Sequence, residues 1–471
     1  MRTRRDLVVI GGGPGGLVVA SVASQLGLKV TLVEKSERLG GDCLHSGCVP
    51  SKTLIRTARV AHLMRTASRY GLPDCEPAVD MGAVMDRVSS VIADIQVHDD
   101  PERFRGYGCD VVFGAARFTG PDEIQVGDEL VRGRRFVIAT GSRPVIPPIP
   151  GLDEAGYETS ETLFHCRDLP GHLAVIGGGP IGLELAQAFA RLGSRISIVE
   201  QADQLLPAAD ADIAGCLAKV LAAEGLALHT GTQVTAARRD GDSRQLQLDD
   251  GNTIECDRIL VATGRQPVLH DLGLDVAGVG FERGGITVDR RLRTTERHIF
   301  AIGDVCGPYP FTHMAEYQAG VVLANVLFRL PRKTDYRVVP VVTYTDPEVA
   351  QVGLTENTAR AQGIHCSVTT FPMADIDRAR TDAATPGFLK ILTSRGRICG
   401  AGLVGAHAGE LIHELALAIQ LRTKAKAITE LVHAYPTYAQ IHRRTLNARY
   451  AKLFYSRKTR FMVRLINRLC P

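Results

Sequence analysis

Leu7-Val8-Val9-Ile10-Gly11-Gly12-Gly13-Pro14-Gly15-Gly16 returns later in the chain as Leu173-Ala174-Val175-Ile176-Gly177-Gly178-Gly179-Pro180-Ile181-Gly182. Each copy joins an apolar run of buried-strand type to G-x-G-x-x-G and then to an apolar helical stretch. A second apolar run follows in each, Val30-Thr31-Leu32-Val33 and Ile196-Ser197-Ile198-Val199. It ends on an acid, Glu34 or Glu200, at the same distance from the first glycine. A lone glycine-rich turn is weak grounds for a ligand. Strand, loop, helix, strand and acid in this order, twice, describe a dinucleotide-binding unit and its repeat. Gly11 and Gly177 make the turn, Gly13 and Gly179 let the backbone approach a pyrophosphate, and Gly16 and Gly182 let helix and strand pack closely. The helix N-terminus favours the phosphate charge, and Glu34 and Glu200 are placed to accept hydrogen bonds from an adenosine ribose.

Directly after the first unit comes Gly40-Gly41-Asp42-Cys43-Leu44-His45-Ser46-Gly47-Cys48-Val49-Pro50-Ser51-Lys52. A regular helix would hold Cα atoms at i and i+5 about 8 Å apart, beyond the roughly 7 Å limit for a disulfide. Gly47 and Pro50 can supply the bend that joins the sulfurs, and a helix starting here would aim its positive end at the thiolates and lower their pKa. Two dinucleotide sites imply two ligands. The first leads into the cysteine pair, so the redox cofactor belongs there, and a flavin, if one is bound, would lie within electron-transfer reach of the dithiol. The second fits a nicotinamide nucleotide. Glu200 would repel a 2′-phosphate and no arginine follows in Gln201-Ala202-Asp203, which favours NADH over NADPH.

At 471 residues the chain suggests three or so domains, and 45% hydrophobic content with 48 glycines fits an α/β protein rich in tight turns. Nine of the eleven cysteines are scattered without close partners, as in a reduced cytoplasmic protein. Arg4-Arg5 before an apolar run imitates an export signal, but the glycines and proline make it a strand, a loop and a helix. No stretch approaches the roughly 20 apolar residues of a membrane span. The net charge of +4 is uneven: Ile441–Pro471 holds nine Lys/Arg and no Asp/Glu, which leaves the rest at −5. No nucleic-acid-binding motif accompanies these charges, so nucleic acid is not an expected partner.

Over nearly its whole length the chain resembles the FAD-dependent pyridine nucleotide-disulfide oxidoreductases, which include dihydrolipoamide dehydrogenase, glutathione reductase and mercuric reductase. Beyond the cysteine segment the resemblance rests on five further stretches. These are Ala139-Thr140-Gly141-Ser142-Arg143-Pro144, its echo Ala262-Thr263-Gly264-Arg265, Ala301-Ile302-Gly303-Asp304, Tyr344-Thr345-Asp346-Pro347-Glu348-Val349-Ala350, and the segment Gly400 to Glu410. It implies an α/β fold with two Rossmann-like dinucleotide-binding domains, for FAD and NAD, and a C-terminal α+β dimerisation domain. The expected regions are an FAD domain with the cysteine pair (1–148), an NAD(P) domain (149–268), a central domain completing the FAD site (269–338), a dimer-interface domain (339–440) and a basic tail (441–471).

The resemblance further implies a homodimer whose active site uses both subunits. Asp304 would hold the ribityl chain, Ala116 would give backbone near the adenine, and Gly141 and Thr312 would line the flavin. Val234 and Gly264 would line the nicotinamide nucleotide. Lys52, paired with Glu184, would sit beside the reactive flavin nitrogen. Electrons would run from NADH through FAD to a Cys43–Cys48 disulfide, with Cys48 nearer the flavin and Cys43 outermost, toward the substrate.

The C-terminal motif departs from the disulfide reductases. They carry His-Pro-Thr with a Glu shortly after, the His shuttling the substrate thiol's proton. This chain reads His433-Ala434-Tyr435-Pro436-Thr437-Tyr438-Ala439-Gln440, with Tyr435 at the His position and Gln440 near the Glu position. A tyrosine of pKa about 10 is a poor base at neutral pH. His433 either takes over the shuttle or is a surface or interface histidine.

Mercuric reductases also place a tyrosine here, and a soft metal ion bound by thiolates needs no proton shuttle. Ile55–Leu63 and Glu184–Phe189 resemble that subfamily. The adjacent C-terminal cysteine pair of those enzymes is missing, leaving Cys470 before Pro471, and no N-terminal Cys-x-x-Cys module is present. Leu206–Asp212 looks more like dihydrolipoamide dehydrogenase. The expected substrate is therefore a thiophilic metal ion or an unusual sulfur compound. The alternatives are a dihydrolipoyl dehydrogenase-like enzyme, and a flavin redox sensor or membrane-docked scaffold without turnover. No resident metal is expected.

In the tail, Phe461, Met462, Leu465, Ile466 and Leu469 recur at helical spacing while Arg457, Arg460, Arg464 and Arg468 take other faces. Such a helix caps the dimer or folds back over an acidic patch of the body, or it lies on an anionic membrane, as a peripheral contact at the inner face.

Overall fold

The structure, a computed structural model, describes residues 4–469. The repeat read in the glycine loops extends through two whole domains. In the first, the parallel strands Cys109–Phe113, Val30–Glu34, Leu7–Ile10 and Phe136–Ile138 lie side by side in that order. In the second, Ala227–Thr230, Arg195–Glu200, His172–Ile176 and Arg258–Val261 repeat the same arrangement. Each sheet carries a three-stranded antiparallel meander inserted before its last strand. Ala116–Gly120, Glu123–Val126 and Glu129–Arg132 form one, and Val234–Asp240, Ser243–Leu248 and Thr253–Cys256 the other.

The inner strands of both sheets are buried on both faces, which is why they read as continuous apolar runs rather than alternating ones. The first sheet gains a fifth strand, Ile299–Ala301, from much later in the chain, and it pairs with Phe136–Ile138. That return brings the Gly303-Asp304 turn to the carboxyl ends of the parallel strands, where open α/β sheets bind their ligands.

The third unit is an antiparallel sheet in the order Val341–Thr343, Glu348–Gly353, Arg397–Gly405, Phe388–Ser394, Ser367–Pro372. The helix Ala408–Gln420 packs on it through Ile412, Leu415 and Ile419. A further helix, Gln440–Phe454, buries Ile441 and Leu446 in the same core. The basic segment therefore begins as core, and only Arg457–Leu469 stands clear as a separate helix with no buried residue. Its apolar residues Phe461, Met462, Val463, Leu465, Ile466 and Leu469 are 45–71% exposed. The expectation that the tail folds back is not met within the protomer. Among the described residues no helix is long and apolar enough to cross a membrane. Cys470 lies outside the described residues.

Candidate active site

The two glycine loops are built alike down to single hydrogen bonds. Gly12 N donates to Glu34 Oε2 at 2.6 Å and Ser36 N to Oε1 at 2.8 Å. In the second copy Gly178 N donates to Glu200 Oε2 at 2.7 Å and Ala202 N to Oε1 at 2.8 Å. Each acid thus fixes its own loop, and the oxygens' remaining lone pairs are free to meet a ribose.

Gly11 and Gly177 adopt φ of +111° and +115°, and a Cβ at either would strike the carbonyl of Ala139 or Ala262. A Cβ on Gly16 or Gly182 would strike the carbonyl of Gly11 or Gly177. At Gly179 a Cβ would meet nothing within 4 Å, and at Gly13 only Gly41 Cα at 3.9 Å. The helices Pro14–Gln25 and Pro180–Leu192 start there without a capping side chain or a first-turn acid. Both loops therefore present bare N–H groups and open space, which fits the pyrophosphate of a dinucleotide.

Ala116 and Val234 open the first strands of the two meanders, and Gly141 and Gly264, at φ of +69° and +133°, follow the two last sheet strands. The echoing motifs meet in space. Arg265 Nε donates to Ser142 Oγ at 2.8 Å, and Ser142 Oγ donates to Asp304 Oδ2 at 2.5 Å. Arg265 also pairs with Asp42, one residue before Cys43, at 3.0 Å. Burial raises the Asp304 pKa against the opposing pull of the Ser142 hydrogen bond and Arg265. Arg265, Ser142 and Asp42 stand inside the quoted motifs, yet no role was read for them. The doubled Ala-Thr-Gly was the available signal.

The dithiol segment is two helices with a break, Gly41–His45 and Cys48–Arg65. The bend falls at Ser46-Gly47, where a Cβ on Gly47 would approach Asp42 O to 2.9 Å. Pro50 is not the bend; it lies in the first turn of the second helix, a position that needs no N–H. Cys48 is exposed as the first residue of that helix, and Cys43 is half-buried. The hydrogen bond from Cys43 pulls the Cys48 thiol down to about 6 against the partial desolvation of its sulfur by the surrounding protein, helped by Thr312 and Lys52. The same hydrogen bond, with burial, raises Cys43 far above the ordinary thiol range. In the reduced pair Cys48 is the thiolate and Cys43 keeps the proton. Thr312 Oγ1, at the start of the helix Thr312–Leu327, lies 3.5 Å from Cys48 Sγ.

Lys52 Nζ lies 2.8 Å from Glu184 Oε2 and 4.4 Å above the Tyr344 ring. Tyr344 N donates to the other Glu184 oxygen at 2.8 Å. Burial works against the Lys52 charge, and the Glu184 carboxylate overcomes it and raises the pKa. Gln187 and Arg191, further along the same helix as Glu184, hold Asp346 at 2.7 and 2.8 Å. One helix of the second domain therefore locks the Tyr344–Asp346 segment of the third against the lysine. Tyr344 is a site residue whose part was not read from the sequence; its motif was visible but its partner, across 160 residues, was not.

The C-terminal motif is arranged otherwise. Tyr435, after which the peptide to Pro436 is cis, is 69% exposed, and Gln440 is buried. His433 is neither a surface residue nor beside the dithiol of its own protomer. Its Nε2 lies 3.3 Å from Glu414, which also takes His442 Nδ1 at 2.7 Å, and both imidazoles are buried. Burial opposes the Glu414 charge, but the two imidazoles hold the carboxyl below its usual range. The reading of nine scattered cysteines also needs correction: Cys366 and Cys399 lie with their sulfurs 3.4 Å apart.

A doubled dinucleotide fold, a dithiol between helices and a lysine–glutamate pair define a flavin-linked dithiol oxidoreductase. The pyridine nucleotide-disulphide oxidoreductase family model matches residues 5–319, and the family's dimerisation domain matches residues 339–445. The chain belongs to this family of FAD- and nicotinamide nucleotide-dependent enzymes, and its dimerisation domain supports a homodimer. It is 34% identical over 450 residues to a mercuric reductase of Streptomyces lividans, covering 93% of this chain and 94% of that one. It is 37% identical over 452 residues to a dihydrolipoyl dehydrogenase of Thermus scotoductus, covering 92% and 95%. The solved Cu(II) complex of the HOCl-induced flavoprotein disulfide reductase RclA from Escherichia coli superposes with a TM-score of 0.85 at 30% identity, covering 94% of this chain and 99% of that one.

Proposed function

We propose that the enzyme uses NADH to reduce a thiophilic metal ion, Hg(II) being the reference case, at Cys43 and Cys48. The observation that carries this reading is the exposed tyrosine where a proton-shuttling histidine would stand, with His433 withdrawn onto Glu414. Oxidising a dithiol substrate requires a base to take its proton. In this chain the outer thiol holds its own proton tightly, and a tyrosine stands where the histidine base would be. A soft cation removes that requirement, because binding to sulfur displaces the proton directly.

Gly11, Gly13, Gly16, Glu34, Ala116, Gly141, Asp304 and Thr312 would hold FAD. Gly177, Gly179, Gly182, Glu200, Val234 and Gly264 would hold the nicotinamide nucleotide, with Glu200 selecting NADH. Bound FAD supplies the two-electron link between nicotinamide and disulfide. The chain's own residues do the rest: Lys52 puts a positive charge beside the electron path, Glu184 neutralises and positions it, and Thr312 donates to the Cys48 thiolate. The overall change is NADH + Hg(II) → NAD⁺ + H⁺ + Hg(0).

Anaerobic release of Hg(0) from a bis-thiolate Hg(II) complex with NADH tests this. Native protein should turn over, and Cys43→Ser should not while still oxidising NADH to bleach its flavin. Equal metal turnover by Cys43→Ser overturns the assignment.

The exposed apolar face of Arg457–Leu469, flanked by arginines, supports a second location-specific reading, a cytoplasmic enzyme resting on the anionic inner face of a membrane. Flotation with vesicles containing anionic lipid, for full-length protein and protein ending at Ser456, tests it. Equal behaviour of the two excludes it.

A further inference from the structure

Cys366 and Cys399 are brought together by a bulge. Along the pair Phe388–Ser394 and Arg397–Gly405, Leu392 faces Gly400 and Thr393 faces Ile398, so Cys399 is the extra residue. A bulge re-aims its side chain, and here Cys399 Sγ comes to 3.4 Å from Leu392 O and 3.4 Å from Cys366 Sγ. Cys366 immediately precedes the edge strand Ser367–Pro372 and is held on both sides. Ser394 Oγ donates to His365 O at 2.9 Å, and Thr393 Oγ1 donates to Ser367 O at 3.3 Å. The backbone of Cys399 is fixed too, its carbonyl accepting from Leu354 N at 2.9 Å. The two sulfurs therefore meet because both backbones are pinned, not through chance rotamers.

We propose that Cys366 and Cys399 are a second redox dithiol, closed to an intramolecular disulfide by a hydroperoxide and independent of Cys43 and Cys48. Burial and the Cys366 hydrogen bond push the Cys399 thiol up to about 12, so it keeps its proton. Cys366, between the exposed residues His365 and Ser367, is the sulfur that meets the oxidant. Its thiolate attacks the O–O bond, giving a sulfenic acid and, after protonation, an alcohol or water. Cys399 sulfur then displaces hydroxide from Cys366, and the Cys399 proton leaves with it as water. Two thiols lose two electrons and the peroxide gains them. The bond would tie the edge strand Ser367–Pro372 to Arg397–Gly405 across the strand between them.

The test uses full-length FAD-loaded protein, reduced, freed of reductant, treated with hydrogen peroxide, alkylated and digested without reduction. Mass spectrometry should find the peptides of Cys366 and Cys399 joined, two hydrogens lighter than their sum, in native protein and equally in Cys43→Ser. Cys366→Ser should lose the link and keep native turnover. Oxidation should raise the thermal midpoint of Cys43→Ser, and not that of Cys43→Ser combined with Cys366→Ser or Cys399→Ala. Alkylation of both thiols after peroxide has closed Cys43–Cys48 overturns the proposal. So does a Cys366 that reaches sulfinic acid with Cys399 still free.

Discussion

The two sides of the dithiol are built to different standards. On the inner side Cys48, Lys52, Glu184, Thr312 and Tyr344 come from distant parts of the chain and close on one another through contacts of 2.8–4.4 Å. The C-terminal motif, the outer side in the proposed function, offers an exposed tyrosine, and its histidine is paired with a half-buried carboxylate. The inner side serves electron delivery, which every substrate of such an enzyme needs. The outer side serves proton delivery, which only some substrates need. The proposed function follows from that difference: a chain that keeps the first and lacks the second would suit an electron acceptor that leaves its ligands' protons to solvent.

The largest effect should come from breaking the inner side. Cys48→Ser should bring turnover with any acceptor that is reduced through the dithiol to background, measured anaerobically with NADH. Rebuilding the outer side is next: Tyr435→His with Gln440→Glu should raise dihydrolipoamide oxidation by about 10²-fold, the lower range of general acid–base catalysis, and leave Hg(II) reduction unchanged.

The glycine loops come third. Gly16→Ala and Gly182→Ala each force a Cβ into a carbonyl, at a cost of about 1–3 kcal/mol in thermal or denaturant unfolding. Only the first should also lower flavin retention, and only the second should raise the KM for NADH.

A smaller change should appear in pH. Because the Cys48 pKa is lowered, its thiolate exists above about 6 and is lost as pH falls through that value. Alkylation of Cys48 in the reduced protein should therefore rise across pH 6. Lys52→Met should move that midpoint upward, since the lysine charge favours the thiolate.

Much of this contrast is legible in the sequence because the inner side is made of local motifs. Glycine loops fix their geometry over a few residues, and the Cys43–Lys52 segment carries its own bend and helix start. The echo of Ala139-Thr140-Gly141 in Ala262-Thr263-Gly264 announced the doubled domain that the two meanders complete. What could not be read are pairings set by tertiary packing. Tyr344 meets Glu184, Glu414 captures His433 and His442, and a bulge turns Cys399 toward Cys366. The tail shows the same limit. Its amphipathic period was plain, but whether the body covers it depends on where Gln440–Phe454 leads the chain. It leads to a helix whose apolar face is open.

The comparison of the two sides rests on the missing proton shuttle, and one measurement addresses it directly. Anaerobic steady-state rates of the unmodified enzyme with Hg(II) and NADH, and with dihydrolipoamide and NAD⁺, should be taken side by side at neutral pH. The expected result is sustained metal reduction with dihydrolipoamide oxidation slower by about 10²-fold or more, the size of the missing acid–base contribution. Efficient dihydrolipoamide oxidation by the native protein would contradict the account.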